Sequence, residues 1–290
     1  MDALPPGMLT LDVEDWEHAN FAQLDGKQPE LARSVTERRY AMDANTDRWI
    51  ELLGVNQAKS TCFVLGDFAR RYPQAVKRLA DAGHEVASHG ATHSLIYRMN
   101  REGFREFLKR GMGEVASVTG QAPQGFRAPS WSVDDARTPW FCDELQEQGL
   151  RYDSSEFPIQ TPLYGKKGAP LKPYWRGRLL RVPVTVLTLG PVRVPFASGA
   201  FFRLAPLSLV RLGLRRATSK GLPAMLVLHP RELDPAHPRL PLEGWEASVH
   251  YARLGTTLPK LQALLPLFQW RSILETYRSR LDTPGSPLDN

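Results

Sequence analysis

The chain has 290 residues, 42% of them hydrophobic and 23% charged, so it can bury the core of a full globular domain. No apolar run approaches the roughly 18 residues of a membrane span, which excludes a transmembrane segment. The net charge of +6 comes from basic residues scattered along the chain. We therefore expect no nucleic-acid partner, and an anionic glycan or an anionic membrane surface fits this charge better.

Strand-like and helix-like segments alternate along the chain, which is typical of a parallel sheet covered by helices. Apolar runs predict strands over residues 8–11, 60–65, 85–87, 179–186 and 225–228 and near residue 270. Amphipathic runs predict helices over residues 45–53, 68–82, 101–119, 138–148, 207–218 and 258–265. These elements favour an α/β fold, namely a distorted (β/α) barrel of about seven parallel strands. We expect a single domain over residues 8–278 and a disordered tail over 279–290.

The first predicted strand runs directly into three acidic residues, Asp12, Glu14 and Asp15. Like charges beside a buried strand oppose folding, so this cluster is typical of a functional position. On an extended backbone Asp12 and Glu14 lie on one face of the strand, and Asp15 lies on the other. An acidic cluster that opens a helix is the structural alternative.

Two histidines, His89 and His93, follow the predicted strand that ends near residue 87. Their spacing of four predicts one helical turn with both imidazoles on one side. Two neutral imidazoles supply two of the three protein ligands of an open divalent metal site, which then needs a carboxylate. The alternative is a pair of histidines satisfied by hydrogen bonds at the start of a helix.

Two further polar residues stand at strand-like positions. Arg127 precedes a rigid Pro129 and the large ring of Trp131, and His229 ends an apolar run that Pro230 stops. Taken singly, Arg127 could form a surface ion pair and His229 could be a satisfied strand-end histidine. Four such clusters in one chain favour a shared site at the C-terminal ends of parallel strands.

The order of these clusters resembles the polysaccharide deacetylase family, whose members are metal-dependent carbohydrate esterases that remove acetyl groups from sugars. The segments that carry the resemblance are TLDVED (10–15), HGATH (89–93), RAPSW (127–131) and LVLH (226–229). The flanking segments STCFVLG (60–66) and AGHEVASH (82–89) are also similar to the family. Together with SGAFFRL (198–204), the DVEDW start is similar to a branch associated with bacterial exopolysaccharide synthesis.

The resemblance implies a role for each polar residue in the matching segments. Asp12 would be the general base, Arg127 would orient it, and His229 would be the general acid that protonates the leaving nitrogen. His89 and His93 would be metal ligands. Three residues would contact or support the substrate pocket: Ser130 through its backbone N–H, Trp131 as a wall, and Asp153 as an acid that pairs with the arginine.

The acidic segment departs from the family pattern. The common motif has two adjacent aspartates, whereas here Val13 intervenes and two further acids follow. Glu14 is our choice for the third metal ligand because it shares a face with Asp12. Asp15 is the alternative ligand. His18 lies in a segment that is bulkier than the one that follows the acids in the family pattern. We expect His18 to contact the substrate or the solvent rather than to bind the metal.

Together these features predict a metal-dependent hydrolase that removes N-acetyl groups from an N-acetylhexosamine-containing glycan or glycan precursor. Two imidazoles and one carboxylate leave positions open for water and substrate, and zinc is the default metal, with cobalt or nickel as alternatives. A related amidohydrolase acting on a small cyclic amide or ureide, similar to allantoinase, is the first alternative. A catalytically inactive glycan-binding barrel is the second.

The remaining features concern substrate contacts and cellular location. The unpatterned segments 156–175 and 230–249 are predicted to contact the substrate. Cys62 and Cys142 cannot form a disulfide framework, and we expect both to be buried and reduced. Residues 1–10 lack the features of an export signal, so we expect a cytoplasmic protein. The sequence does not indicate an oligomeric state.

Overall fold

The computed structural model describes residues 4–18, 42–222 and 224–285. Its main sheet has nine strands, and seven of them form a continuous parallel path in the order β10-β1-β2-β3-β4-β5-β7. Strand β11 pairs in parallel with the beginning of β1, and β6 pairs antiparallel with β7. The strands of this sheet are β1 (Pro6–Val13), β2 (Thr61–Val64), β3 (Glu85–Ser88), β4 (Gly125–Phe126), β5 (Tyr152–Asp153), β6 (Tyr174–Arg176), β7 (Leu179–Arg181), β10 (Met225–Leu228) and β11 (Gln269–Arg271).

Helices cover the outside of this sheet, and a separate hairpin of β8 (Leu187–Leu189) and β9 (Val192–Val194) lies off it. In the described part of the chain the helices are α1 (Met42–Val55), α2 (Gly66–Arg71), α3 (Pro73–Asp81), α4 (Arg101–Thr119), α5 (Phe141–Glu147), α6 (Gly199–Leu204), α7 (Leu207–Ser219), α8 (Gly244–Tyr251), α9 (Thr257–Leu264) and α10 (Ile273–Leu281). The predicted α/β fold with seven parallel strands in one domain is confirmed.

The curled sheet is not closed by a continuous ladder within the described residues. Between β7 and β10 a single parallel bridge joins Ser198 to Val227, and the hydroxyl of Thr185 accepts the N–H of Met225 at 2.6 Å. A half-closed barrel of this kind leaves a gap on one side of the strand ends. Segments from the second half of the chain fill that gap.

Side chains alternate along each strand, so every second residue faces the inside of the curled sheet. Met8, Phe63 and Val227 pack together in the interior, whereas Leu9 and Leu11 pack against the helices outside. Five polar residues at or just beyond the C-terminal strand ends follow the same alternation and face the interior. They are Asp12, Glu14, His89, Arg127 and His229. The alternation therefore brings residues from four strands to one end of the barrel.

Several predicted elements differ from the observed ones. The helix predicted over 68–82 is two helices, because Tyr72 has non-helical dihedral angles and Pro73 begins a new helix. The strand predicted over 179–186 is regular only over Leu179–Arg181, and Pro183, which has no N–H for a ladder, follows closely. The unpatterned segment 230–249 contains most of α8. Helix α10 crosses the predicted boundary at 278, and residues 286–290 lie outside the described residues.

Two expectations about the general character of the chain can be compared with the structure. Cys62 and Cys142 are both buried and unpaired, as predicted. Among the residues that the structure describes, no helix combines the length and the apolar character needed to cross a membrane.

Candidate active site

Three side chains meet at the C-terminal end of the barrel in an arrangement that could hold a metal ion. Glu14, His89 and His93 each offer one ligand atom, and these atoms all lie within 4.8 Å of one another. All three residues are buried, with 2%, 2% and 8% of their surfaces exposed. Glu14 follows β1 and His89 follows β3, so the sheet brings together ligands that are 75 positions apart in the sequence.

The two histidines do not lie on a helical turn, and that prediction is wrong. Residues 89–95 form an irregular loop, and Gly90 adopts a φ of 86°, which a right-handed helix excludes. A Cβ at Gly90 would also lie 2.1 Å from the ring of Phe107, so only glycine fits there. The loop nevertheless brings the rings of His89 and His93 to 5.7 Å between centroids.

The orientation of His89 suits a metal ligand. Its Nδ1 lies 2.7 Å from the backbone carbonyl oxygen of Arg127, which can only accept a hydrogen bond. Nδ1 therefore carries the proton, and the lone pair of Nε2 is left free for a cation. Burial lowers the pKa of His89 to about 4, so the ring is neutral at neutral pH.

The carboxylate of Glu14 is the best structural test of whether a cation fits. Its Oε2 is buried and accepts no hydrogen bond of good geometry, although Nε2 of His93 lies 2.5 Å away. A buried oxygen without a donor costs about 1–3 kcal/mol, which a cation would offset. Burial alone would raise the pKa of Glu14, but the neighbouring His93 and His229 outweigh burial and hold that pKa well below its usual value. A negative oxygen between two imidazoles fits a divalent cation.

Asp12 is held beside this group by a buried ion pair. Arg127 donates a hydrogen bond from Nη1 to Oδ1 of Asp12 at 2.6 Å and a second to the hydroxyl of Thr10 at 2.8 Å. The guanidinium is fully buried and lies 4.2 Å above the ring of Phe63. Its other end donates to the carbonyl and the hydroxyl of Ser154. Arg127 thus has one fixed position and presents Asp12 to the interior.

His229 lies across the site and is held by a second charged group. Its Nδ1 is 3.0 Å from Oε2 of Glu232, and its Nε2 is 3.7 Å from Oε1 of Glu14. Glu232 is fully buried and also accepts a short hydrogen bond from Arg203. Burial lowers the pKa of His229, but Glu232 and Glu14 outweigh burial, so the pKa is raised. The two carboxylates therefore favour the protonated form of His229.

Glu232 and Arg203 are absent from the predicted site residues. A signal was available for both, because the sequence HPRE places an acid three residues after His229 and Arg203 lies in the SGAFFRL segment. Burial raises the pKa of Glu232, but Arg203 and His229 outweigh it and lower that pKa to about 2. Glu232 is thus a permanent negative charge behind His229.

Ser130 and Trp131 form a strained turn at the mouth of the site. Their φ angles are 51° and 46°, which are uncommon for residues other than glycine. Backbone strain of this kind costs about 1–3 kcal/mol and clusters at functional sites. Trp131 packs against Phe157 and Tyr164 with ring centroids 5.0 and 5.1 Å away. Its indole N–H is buried and finds no hydrogen-bond partner in the part of the chain that the structure describes. The turn therefore presents a rigid aromatic wall.

The predicted pair of Asp153 with Arg127 is not observed, because Asp153 forms its ion pair with another arginine. Its side chain is fully buried and lies 2.6 Å from Nε of Arg181. Tyr152 and Leu180 pack in the interior, so Asp153 and Arg181 point outward in register, towards Cys142 on α5. The alternation of side chains separates this ion pair from the site.

The alternative metal ligand, Asp15, is also directed elsewhere. Its Oδ2 forms a short ion pair with Arg71, and its Oδ1 accepts the N–H of Trp16. This orientation follows from its position on the opposite face from Glu14. His18 stacks on His93 at 4.9 Å between ring centroids, and its Nδ1 accepts the N–H of Asp15. His18 thus supports a metal-site histidine.

A cavity of about 420 Å³ opens beside His229. Trp131 forms part of its wall, and both predicted substrate loops line it, for example through Tyr164 and Leu242. Trp245, in the second loop, is 58% exposed at the surface. The cavity extends the site into a region built almost wholly from the second half of the chain.

Two family models match the chain one after the other. Residues 38–152 match the polysaccharide deacetylase model, and residues 154–278 match a domain of unknown function, DUF3473. The first match includes His89, His93 and Arg127, whereas Glu14 precedes it and His229 falls in the second. The site described above is therefore shared between the two matched segments.

Curated relatives match only part of the chain. A peptidoglycan deacetylase of Helicobacter pylori is 27% identical over 130 residues, which cover 44% of this chain and 43% of the relative. A peptidoglycan-N-acetylglucosamine deacetylase of Bacillus cereus is 25% identical over 99 residues, which cover 34% of this chain and 36% of the relative. The chain thus spans less than half the length of these relatives.

Solved structures match the whole chain at lower identity. A crystal structure described as that of a polysaccharide deacetylase from Mycobacterium smegmatis has a TM-score of 0.60 at 20% identity, covering 100% of this chain and 99% of that one. An allantoinase has a TM-score of 0.58 at 16% identity, covering 97% and 91%. These likenesses establish the fold alone. The family match over residues 38–152 covers less than half of the chain, and it shows that this part is similar to polysaccharide deacetylases.

Proposed function

We propose that this protein is a metal-dependent hydrolase that removes N-acetyl groups from an N-acetylhexosamine unit of a glycan or glycan precursor. One observation carries the proposal. A three-ligand group, a buried aspartate held by an arginine and a histidine held by a glutamate lie together at one end of the barrel. Amide hydrolysis needs a base for water and an acid for the leaving nitrogen, and these two residues have the chemistry for those roles.

Glu14, His89 and His93 would hold the cation. A divalent ion there would supply Lewis acidity, which lowers the pKa of water to about 7 and polarises a carbonyl oxygen. We propose zinc, because two imidazoles and one carboxylate are a common catalytic zinc set. Cobalt and nickel accept the same ligands and are the alternatives.

Asp12 acts as the general base in this proposal. The buried pair with Arg127 fixes the side chain of Asp12, so the carboxylate is positioned to take a proton from the attacking water. A positioned base of this kind contributes about 10²–10⁴ in rate. The direction of Asp12 into the interior of the sheet supports this role.

His229 acts as the general acid that protonates the departing amine. Glu232 and Glu14 raise its pKa against the effect of burial, and this direction favours the protonated ring that the role needs. The bond from Nδ1 to Glu232 leaves Nε2 as the proton donor towards the site. Ser130 would donate its backbone N–H to the developing oxyanion, and Trp131 would close the acetyl pocket.

The biological setting is a separate part of the proposal. We propose that the substrate is a glycan or precursor in bacterial exopolysaccharide synthesis, because the DVEDW and SGAFFRL segments are similar to that branch of the family. A cytoplasmic location is proposed as well. The two buried, unpaired cysteines agree with a reducing compartment. Cell fractionation with a tagged chain would test the location.

The direct test combines metal analysis with an assay for acetate. Purified protein should contain about one divalent ion per chain and release acetate from N-acetylglucosamine oligomers. Asp12→Asn should keep the ion and lower kcat by about 10²–10⁴. Asp81→Asn, which removes an exposed helix carboxylate, is the matched control and should leave kcat unchanged.

Two results would contradict the proposal. Unchanged acetate release in Asp12→Asn would remove the base from the mechanism. Hydrolysis of a cyclic ureide such as allantoin, with no acetate from any N-acetylated sugar, would favour the amidohydrolase alternative.

A further inference from the structure

Two buried arginines line the cavity beside His229, and their surroundings are opposite. Arg203 is 1% exposed and fully paired, since it bonds Glu232 and donates to the carbonyl oxygens of Ala252 and Val249 at 2.9 and 2.8 Å. Arg231 is 7% exposed and forms no ion pair among the described residues. Its one hydrogen bond there joins Nη1 to the carbonyl oxygen of His250 at 3.5 Å, the outer limit for such a bond.

A buried guanidinium without a counter-ion is energetically unfavourable. Nε of Arg231 is buried and has no hydrogen-bond partner among the described residues, and the same holds for Nε2 of His250, which lines the same cavity. Removing a charge from water costs several kcal/mol unless an opposite charge repays it. Burial lowers the pKa of Arg231 and outweighs the opposing influence of Glu232 and Glu14. Within the described residues, no carboxylate forms a direct ion pair with this side chain.

The charges around the cavity leave room for one external anion. Glu232 is already shared between Arg203 and His229. Glu246 lines the cavity too, but it is only half-buried and forms no ion pair with Arg231. The net charge of +6 agrees with an anionic partner. The remaining unpaired charge at the inner end of the cavity is therefore Arg231.

We infer that Arg231 binds an anionic group of the substrate, a carboxylate or a phosphate, in the cavity next to the acetyl group being removed. This inference deepens the proposed function, since it names the class of sugar that the same site accepts. A planar guanidinium recognises both anions by paired hydrogen bonds. The substrate would thus be an acidic glycan, with a uronic acid beside the N-acetylhexosamine, or a sugar phosphate.

The test compares neutral and acidic sugars of matched size. The neutral probe is tetra-N-acetylchitotetraose, and the carboxylate probe is a tetrasaccharide of alternating glucuronic acid and N-acetylglucosamine. For phosphate, N-acetylglucosamine 1-phosphate is compared with N-acetylglucosamine. Binding is measured by calorimetry on the metal-loaded Asp12→Asn variant, which avoids turnover. We expect at least one acidic probe to bind about tenfold more tightly than its neutral counterpart.

Three variants identify the residue responsible. Arg231→Gln should abolish the preference for the acidic probe, and Arg231→Lys should keep part of it because the charge remains. Arg215→Gln makes the same charge change on the exposed face of α7 and should keep the full preference. Thermal unfolding of each variant is recorded alongside. If Arg231→Gln does not fold, the reduced preference of Arg231→Lys decides.

The outcomes separate this inference from the proposed activity. Equal binding of acidic and neutral probes, or a preference that survives in Arg231→Gln, overturns the inference even if the enzyme releases acetate. A lower Tm of Arg231→Gln with an unchanged ratio of affinities shows a structural role and also overturns it. Selective binding of an acidic sugar that depends on Arg231, without any acetate release, supports the inference and contradicts the proposed reaction.

Discussion

His89 and His229 are the same type of side chain at the ends of two strands of one sheet, but their surroundings differ. His89 donates a hydrogen bond from Nδ1 to a backbone carbonyl oxygen, and burial lowers its pKa to about 4. His229 bonds the carboxylate of Glu232, which outweighs burial and raises its pKa. Burial acts to lower the pKa of both rings, and nearby carboxylates reverse that direction only at His229.

The largest expected effect comes from removing the neutral histidine. His89→Ala should lose the bound cation and lower kcat/KM by at least ~10³, because the Lewis acid contributes several kcal/mol. Metal content by mass spectrometry and acetate release are the measurements. His84→Ala is the matched control, since His84 is buried at the other end of β3 and should leave the metal in place. A variant His89→Ala that retains one ion per chain would contradict the ligand assignment.

The ion pair of Asp153 and Arg181 on the outer face of the sheet tests whether only inward-facing charged residues affect the metal site. Arg181→Met leaves Asp153 buried without its partner, so the free energy of unfolding should fall by about 3–5 kcal/mol. Metal content and KM should not change, because both residues point away from the site. Denaturant unfolding and metal analysis measure these effects. Loss of the metal at unchanged stability would place Asp153 in the site after all.

The charge behind His229 can be removed without touching the ring. Glu232→Gln should lower the pKa of His229, because Glu232 is the largest influence that raises it. The histidine then loses its proton at a lower pH, so the alkaline limb of the kcat/KM profile should move to lower pH. We expect activity to fall about 10–100-fold, as for other groups that orient a catalytic residue. Glu243→Gln, an exposed neighbour, should leave the profile unchanged. An unshifted profile in Glu232→Gln would refute this account.

The smallest effect is expected at Asp15. Asp15→Asn breaks a pair with the half-exposed Arg71, which is worth about 1 kcal/mol or less. The metal content and kcat should remain close to those of the wild type. A tenfold weaker affinity for the cation would instead make Asp15 a ligand. The comparison with Glu14→Gln, which should lose the cation, makes this test decisive.

Much of the site could be predicted because the sequence patterns that mark its residues are local. The alternation along β1 assigns Asp12 and Glu14 to one face and Asp15 to the other, whatever the rest of the chain does. The apolar run before His229 and the pair His89 and His93 mark strand ends in the same way. The elements that failed also failed locally, as where Pro73 divides a helix that periodicity alone leaves continuous.

The rest could not be predicted, because it depends on contacts between distant positions. Arg203 and Glu232 are 29 positions apart in the sequence and come into contact only when the chain is folded. The two-residue strand that contains Asp153 has too little pattern to show which face is inward, and a shift of one residue reverses both faces.

The sequence by itself determined the parallel sheet and the set of polar residues at its strand ends, since these follow from the order of apolar runs and from a period of two. Its motifs also carried the resemblance to polysaccharide deacetylases. Only the tertiary structure decided what each of these polar residues touches. It gave the two site histidines different partners, turned Asp153 away from the site, and left Arg231 buried without an anion in the described part of the chain. The physical reason is that charge and pKa depend on neighbours in space, which a one-dimensional pattern does not contain.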